Sequence, residues 1–219
     1  MAEIMIRPYQ RRDRESVRRI SGDTANLGKP VETFFRDREI MVDLLMNYYL
    51  DYEPGSCWVA EQEGKVIGYL CGCLHNIRYF FIITFRILPQ SLGLALWRGV
   101  FCQPETWRLL KAAARTFLQG GHFKDIPLDQ YPVHLHINLQ SEFRNQHIGP
   151  RLMEHFLKQV KAAGFKGVHA VTREENKGAC RFFEKMGFTA LSRHILVVPS
   201  NNGEILGHTV VYGRALEKD

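Results

Sequence analysis

The fold of this chain is decided by residues 133–152, which read VHLHINLQSEFRNQHIGPRL. The first seven residues alternate aliphatic and polar side chains, which is the period of a β-strand. The polar stretch that follows ends in Gly149 and Pro150, and the pattern from Pro150 to Ala163 is that of an amphipathic helix. The sequence therefore predicts a strand, a loop and a helix whose first amides face the loop.

This loop has the properties of an anion site. Proline is favoured in the first turn of a helix, where its missing N–H group costs no hydrogen bond. The first backbone amides of a helix lack partners, and the helix dipole places partial positive charge beside them. We therefore expect the loop amides to bind phosphate groups.

The rest of the chain supplies strands and helices in alternation, with glycine or proline at their ends. The pattern predicts an α/β fold with a central mixed sheet of six or seven strands, helices on both faces and one domain over residues 1–219. The predicted elements are strands at 4–8, 57–62, 66–73, 133–139, 168–171, 188–198 and 209–215, helices at 13–21, 31–49, 150–163 and 177–185, and a helical insertion at 78–131 between the third and fourth strands.

The insertion is the most apolar part of the chain. We expect breaks in its helices at Pro89, Pro104 and Gly120-Gly121. Its longest stretch without a charge, Ile87–Trp97, is shorter than the ~20 residues that a membrane-spanning helix needs. The sequence therefore favours a buried or lid-like insertion whose apolar residues point inward, with contact to a membrane surface as the alternative.

Composition and charge exclude several classes of protein. The 219 residues are 45% hydrophobic and 24% charged, which excludes disordered, collagen-like and coiled-coil chains. The net charge of +6 includes a basic stretch in the first twenty residues, but acids interrupt it, so we do not expect nucleic-acid binding. Five cysteines, an odd number in apolar contexts, and a charged amino-terminal region predict a reducing, cytoplasmic location.

Cys71, Cys73 and His75 are candidate metal ligands because of their residue types and alternate spacing. Alternate residues of one short strand give poor tetrahedral geometry, and their spacing matches no structural zinc pattern. We interpret the two cysteines as packed core thiols and expect no metal.

A second motif follows the loop and helix, and it contains Asn176, Ala179, Phe182, Phe183, Glu184, Lys185, Met186, Gly187 and Phe188. Together with the Arg144–Gly149 loop, this motif resembles the two main motifs of the GNAT superfamily of acyl-CoA-dependent N-acyltransferases. The resemblance covers residues 131–215 closely and extends loosely toward the amino end. It leaves the insertion unexplained.

The resemblance implies a GNAT-like fold with a splayed sheet and acetyl-CoA as the co-substrate. It assigns the backbone of Ile137 and Leu139 to the pantetheine arm, and Asn176 to the same arm. It assigns the pyrophosphate to the loop, whose members are Arg144, Asn145, Gln146, His147, Ile148 and Gly149.

Two positions depart from the family pattern. His147 stands where the family loop usually has glycine, so we expect a shifted loop or weaker coenzyme binding. Phe183 stands where the family commonly has the tyrosine that protonates the coenzyme thiolate, and phenylalanine has no proton to donate. Either another group serves as the acid, or water protonates the thiolate.

The strand before the loop carries the candidate catalytic residues. Alternation places His134, His136 and Asn138 on one face, and two imidazoles on a central strand predict a water-lined cleft. The His-Leu-His strand also resembles the arylalkylamine acetyltransferases, which implies that the histidines carry the amine proton to solvent. Imidazole is a suitable base for this step near neutral pH. We expect His136 to be the base, assisted by His134.

These observations predict an acetyl-CoA-dependent N-acetyltransferase that acts on a primary amine of a small molecule or peptide by direct attack. The segment Gly22-Asp23-Thr24 and its surroundings also resemble bacterial relatives of the acetyltransferase-like domain of O-GlcNAc hydrolases. Some members of that branch are regarded as pseudo-enzymes. A CoA-binding module with a regulatory or partner-binding role is therefore one alternative, and a membrane-surface enzyme acting on lipid-linked amines is another.

Overall fold

A seven-stranded mixed sheet forms the centre of the computed structural model, which describes residues 3–121, 126–200 and 203–216. The strand order is β1-β2-β3-β4-β5-β7-β6, and only β4 and β5 pair in parallel. The predicted fold class is confirmed. The strands are β1 (Ile4–Pro8), β2 (Cys57–Gln62), β3 (Lys65–Cys73), β4 (Val133–Leu139), β5 (Gly167–Arg173), β6 (Thr189–Ser200) and β7 (Gly203–Ala215).

The helices cover both faces of this sheet. They are α1 (Arg14–Thr24), α2 (Arg38–Asn47), α3 (Asn76–Ile82), α4 (Leu88–Trp97), α5 (Pro104–Leu118), α6 (Ile148–Ala162) and α7 (Lys177–Lys185). Two π-helical turns, Tyr48–Tyr52 and Ile83–Ile87, continue α2 and join α3 to α4.

Strand β4 separates two hydrophobic cores. Val133 and Leu135 point into the core formed with α6 and α7, where Leu152 and Phe156 are fully buried. The opposite face of the neighbouring strand β3 packs Tyr69 against α1 and α2. The predicted alternation along β4 is therefore confirmed, and its histidines lie on the α1 and α2 side.

One predicted helix start in the first half is confirmed and one is wrong. Helix α1 begins at Arg14, directly after Asp13, but the Asp13 carboxylate caps no amide of α1; it accepts from the Gln10 N–H group at 2.8 Å and binds the Arg7 guanidinium at 2.6 Å. The helix predicted from residue 31 begins at Arg38, after Asp37 accepts from the Ile40 N–H group at 3.2 Å. The Asp37 cap therefore marks the amino end of α2, whereas a 3-10 turn over Arg11–Asp13 leads directly into α1.

Helix α6 begins at Ile148, two residues before the predicted start. His147 adopts a left-handed conformation, with φ of 58°, and this turns the chain directly into the helix. Pro150 becomes the third helical residue, where it still lacks an intrahelical partner and costs nothing. The strands β6 and β7 are longer than predicted, and the predicted turn residues Asn201 and Asn202 lie outside the described residues.

The expected break at Pro89 is also wrong. The Leu88 N–H group bonds to the Ile83 carbonyl five residues back, so a π turn directly precedes the proline. A π turn relieves the clash that a proline ring makes with the preceding turn, and the helix continues. Residues 76–97 thus form one helix, long and apolar enough to cross a membrane by length and composition alone.

The apolar residues of the insertion do not all point inward, contrary to expectation. Large side chains along its helices are exposed, among them Phe85, Leu96, Trp97 and Leu118. The helices of the insertion pack one face against the rest of the protein. The contact is a separate buried cluster beneath them, formed by Val31, Phe35, Ile40, Ala95 and Val100.

Candidate functional site

The site begins where β4 and β5 separate. Only two residue pairs, Val133 with Val168 and His134 with His169, join the two strands in the described structure. On the other side of β4, the Gln140 N–H group bonds to the Ile67 carbonyl at 3.0 Å. Because antiparallel ladders alternate, this bond directs the backbone groups of Ile137 and Leu139 away from β3 and into the gap.

The loop after β4 presents a row of free amides beside this gap. Asn145 and His147 both have left-handed backbones, with φ of 62° and 58°. The N–H groups of residues 145–149 donate to no residue that the structure describes. Amides arranged by left-handed residues at a helix start form an anion-binding concavity. The predicted loop residues Asn145, Gln146, His147, Ile148 and Gly149 are therefore brought together in an arrangement that suits phosphate groups, and we call this loop the phosphate cradle.

Arg144 behaves differently from the rest of the loop. Its guanidinium donates to the Leu139 carbonyl at 3.3 and 3.4 Å and lies against Gly28. It therefore covers the end of the gap, and a ligand that pairs with the Leu139 backbone has to displace it.

Gly149 and Asn176 have structural contacts of their own. A Cβ atom on Gly149 would lie 3.1 Å from the Phe182 ring, so this glycine permits close packing of α6 on α7. The Asn176 side-chain oxygen accepts from the Ala179 N–H group at 3.1 Å and caps α7. Its side-chain nitrogen donates to no described residue, which leaves it available to a ligand.

His134 is held in one neutral form. The Asn76 side-chain nitrogen donates to the Pro132 carbonyl, so its oxygen faces His134 Nδ1 at 3.1 Å and accepts the ring proton. His134 Nε2 then accepts from the Tyr49 hydroxyl at 2.8 Å. Burial, assisted by neighbouring His136 and His169, lowers the pKa of His134 to about 3. His134 is therefore a positioning residue at neutral pH, with both ring nitrogens occupied.

His136 is the free imidazole of the cleft. It is solvent-accessible and forms no hydrogen bond with a described residue, and its ring lies 5.3 Å from the Tyr49 ring. Desolvation by the neighbouring protein lowers the pKa of His136 below that of free imidazole. The ring is therefore neutral at pH 7 and able to accept a proton.

Two tyrosines complete the cleft, and neither was predicted from the sequence. Tyr49 is buried, which raises its pKa well above the ordinary value, and the Tyr79 ring lies 5.0 Å from the His134 ring. A tyrosine in an otherwise apolar helical segment needs a partner for its hydroxyl group, and this was the available signal. The groups that Tyr49 contacts, Tyr79 and His134, lie 30 and 85 positions further along the chain, so local sequence patterns do not identify them.

The remaining candidates have packing roles. Phe183 is buried and stacks on Tyr212 at 5.6 Å, so no acid stands at that position. Cys71 and Cys73 are buried in the α1 and α2 core, and His75 Nδ1 lies 3.1 Å from Glu53. In the described ranges, no group of three or more histidine, cysteine or acidic residues is placed to hold a metal ion.

Comparison with known proteins agrees with this fold. Residues 123–188 match the model of the Acetyltransferase (GNAT) family. The chain in the crystal structure of SsHAT has 23% sequence identity to this chain, and the match covers 99% of this chain and 100% of SsHAT with a TM-score of 0.73. The putative acetyltransferase yncA from Salmonella typhimurium was solved with acetyl-CoA. It is 12% identical in sequence, and the match covers 100% of this chain and 96% of yncA with a TM-score of 0.59. A ribosomal-protein-alanine N-acetyltransferase from Brucella melitensis is 15% identical in sequence, and the match covers 97% of this chain and 99% of that protein with a TM-score of 0.57.

Proposed function

We propose that this chain is a GNAT-superfamily acetyltransferase, and that it transfers the acetyl group of acetyl-CoA to a primary amine of a small molecule or peptide. The observation that carries the proposal is the alignment of three features along β4. The free amides of residues 145–149 suit the pyrophosphate, the gap beside Ile137 and Leu139 suits the pantetheine arm, and His136 follows on the same strand.

Acetyl-CoA supplies a thioester, whose carbonyl carbon the amine nitrogen attacks directly. His136 accepts the proton of the ammonium group, directly or through a water molecule, and thereby frees the attacking lone pair. His134 holds Tyr49 in place and does not titrate near neutral pH. Collapse of the tetrahedral intermediate breaks the C–S bond, and the nitrogen releases its second proton to water as the amide forms. Since Phe183 has no acidic proton, the thiolate that leaves takes its proton from water.

The first experiment measures thiol release from acetyl-CoA in the presence of amines, aminosugars, amino acids and peptides. We expect robust release with one of these classes. If no class supports turnover while calorimetry still detects CoA binding, the chain is a CoA-binding module and the proposed reaction is wrong.

The second experiment replaces His136 with glutamine. We expect kcat/KM to fall by roughly 10²–10⁴-fold with CoA affinity unchanged, because only proton transfer is lost. His155→Gln, on α6 beside Trp58, is the matched control and should keep full activity. A His136→Gln enzyme with the wild-type rate would exclude His136 as the base.

The pH dependence follows from the direction of the pKa shift. A lowered pKa keeps His136 in its neutral, basic form down to a lower pH than free imidazole. As His136 loses its proton with rising pH, kcat/KM should increase, and this increase should lie below pH ~6.5. The His136→Gln variant should not show it. Any rise above that range belongs to the amine itself.

We also propose a cytoplasmic location. All five cysteine thiols are unpaired, and four of them are buried. Free thiols are typical of proteins in reducing compartments.

A further inference from the structure

The two long helices of the insertion carry an apolar face that points away from the protein. On the helix of residues 76–97, exposed apolar side chains recur every three or four positions and so form one stripe. The stripe consists of Ile77, Phe81, Phe85, Leu88, Leu92 and Leu96, and Trp97 at its end is 82% exposed.

Helix α5 extends this surface. Ala112 and Thr106 are buried on its inner side, while Trp107, Leu110, Phe117 and Leu118 are exposed on its outer side. We call the outer sides of these two helices the insertion surface. Exposed apolar surface of this extent marks an interaction site in a soluble protein.

The charge of the insertion surface indicates what covers it. Residues 76–121 contain one acid, Glu105, and six bases, which are Arg78, Arg86, Arg98, Arg108, Lys111 and Arg115. This net charge of +5 compares with +6 for the whole chain. All six bases are exposed, and Arg78, Arg108 and Lys111 form no ion pair with a described residue. An apolar face bordered by cations complements an anionic lipid surface.

The inner sides of the helices are fixed to the protein. Tyr79, Ile83 and Ile87 pack into the core with α2, and Arg98 binds Asp37 at 3.1 Å. Helix α5 is held to β6, where the Thr116 hydroxyl accepts from the Val197 N–H group at 2.9 Å. A helix attached along one side is unable to cross a bilayer, although its length and composition would permit it. It can only lie on the surface.

We propose that the insertion surface docks onto an anionic lipid bilayer. The aromatic and aliphatic side chains enter the boundary between headgroups and acyl chains, and the bordering cations contact lipid phosphates and carboxylates. Tyr79, which contacts His134, belongs to the same helix, so docking places one wall of the histidine cleft next to the membrane. The proposal does not depend on the acetyl acceptor, because its test measures binding alone.

The test is co-sedimentation of the full chain with vesicles of phosphatidylcholine, with and without about 30% phosphatidylserine. We expect binding to the anionic vesicles, little binding to phosphatidylcholine alone, and release when salt rises from about 0.1 to about 0.5 M. Circular dichroism and CoA affinity confirm that each variant is folded.

Two double variants separate the apolar from the electrostatic contribution. Phe81→Ser with Phe85→Ser should abolish binding even at low salt, with Met5→Ser, an exposed residue of β1, as control. Arg108→Glu with Lys111→Glu should weaken binding about 25-fold or more, since each surface cation contributes about fivefold. Lys158→Glu with Lys166→Glu changes the net charge equally at another place and should have a much smaller effect.

Three results would overturn the proposal. The first is no sedimentation with either vesicle. The second is equal binding to neutral and anionic vesicles. The third is a dimer in analytical ultracentrifugation that the Phe81→Ser, Phe85→Ser variant dissociates, because a second copy of the chain would then cover the insertion surface.

Discussion

The left-handed conformation of His147 offers a sharp test of the phosphate cradle. The residue has φ of 58° and ψ of 13°, its side chain is exposed, and it directs the chain from the loop into α6. Substitutions here change the backbone preference without removing a packed side chain. We compare His147→Gly, which adopts this conformation freely, with His147→Val, whose branched side chain disfavours it.

The expected magnitudes follow from backbone energetics. A non-glycine residue in the left-handed region costs about 1–2 kcal/mol, and glycine avoids this but loses about 0.5–1 kcal/mol through chain entropy. His147→Gly should therefore raise the free energy of unfolding by about 0–1.5 kcal/mol and keep CoA affinity. Valine disfavours the left-handed region more than histidine does, so His147→Val should lower the free energy of unfolding by about 1–2 kcal/mol relative to the wild type. The same energy opposes the bound conformation of the loop, so CoA affinity should fall about tenfold.

Urea unfolding measures the stability of each variant, and calorimetry with CoA measures the affinity. Glu63, in the β2–β3 turn, has φ of 50° and an exposed side chain, so Glu63→Val is a matched control. It should lose similar stability and keep CoA affinity. If His147→Val binds CoA as tightly as the wild type while losing the same stability as the control, the loop amides do not bind the coenzyme phosphates.

Two further substitutions test the contacts around the site and the first strand. Tyr49→Phe leaves His134 Nε2 without its donor and should lower the free energy of unfolding by about 1–3 kcal/mol; urea unfolding that matches the wild type would contradict the hydrogen bond. Arg7→Ala leaves Asp13 and Glu61 without their shared cation and should cost about 3–5 kcal/mol. Burial alone would raise the pKa of Asp13, but hydrogen bonds from Arg7 and Gln10 lower it below 3.8. The stability from this pair is therefore fully present above pH 3.8 and is lost as the pH falls through the lowered pKa, so the cost of Arg7→Ala should shrink in acid.

Elements with strong local patterns were predicted closely. Strand β4 and helix α7 have the predicted bounds, because alternation specifies the first, and Asn176 and Gly187 mark the ends of the second. The start of α6 was predicted two residues late, because the left-handed conformation of His147 is atypical for its residue type. The helix through Pro89 was missed for a similar reason, since a π turn is too rare to expect from sequence.

The site was predicted in part, and the limit was the range of the contacts. The loop amides follow from a strand, a loop and a helix that are contiguous in sequence. The state of His134 depends on Tyr49 and Asn76, which come from two different helical segments on the other side of the cleft. Strand alternation placed both histidines on the correct face but gave them the same chemistry. Only tertiary contacts distinguish His134, whose two ring nitrogens both form hydrogen bonds, from His136, which forms none with a described residue.

The separation of β4 and β5 divides the sheet into two hydrogen-bonded units. One unit contains β1 to β4 and the other contains β5, β7 and β6, and two residue pairs form the seam between them. Cooperativity between the units therefore depends on side chains, chiefly the core shared by α6 and α7, where Phe182 closes on Gly149. A molecule that forms backbone-like hydrogen bonds across the seam would act as a missing strand. Coenzyme occupancy would then set the mechanical rigidity of the protein as well as its chemistry.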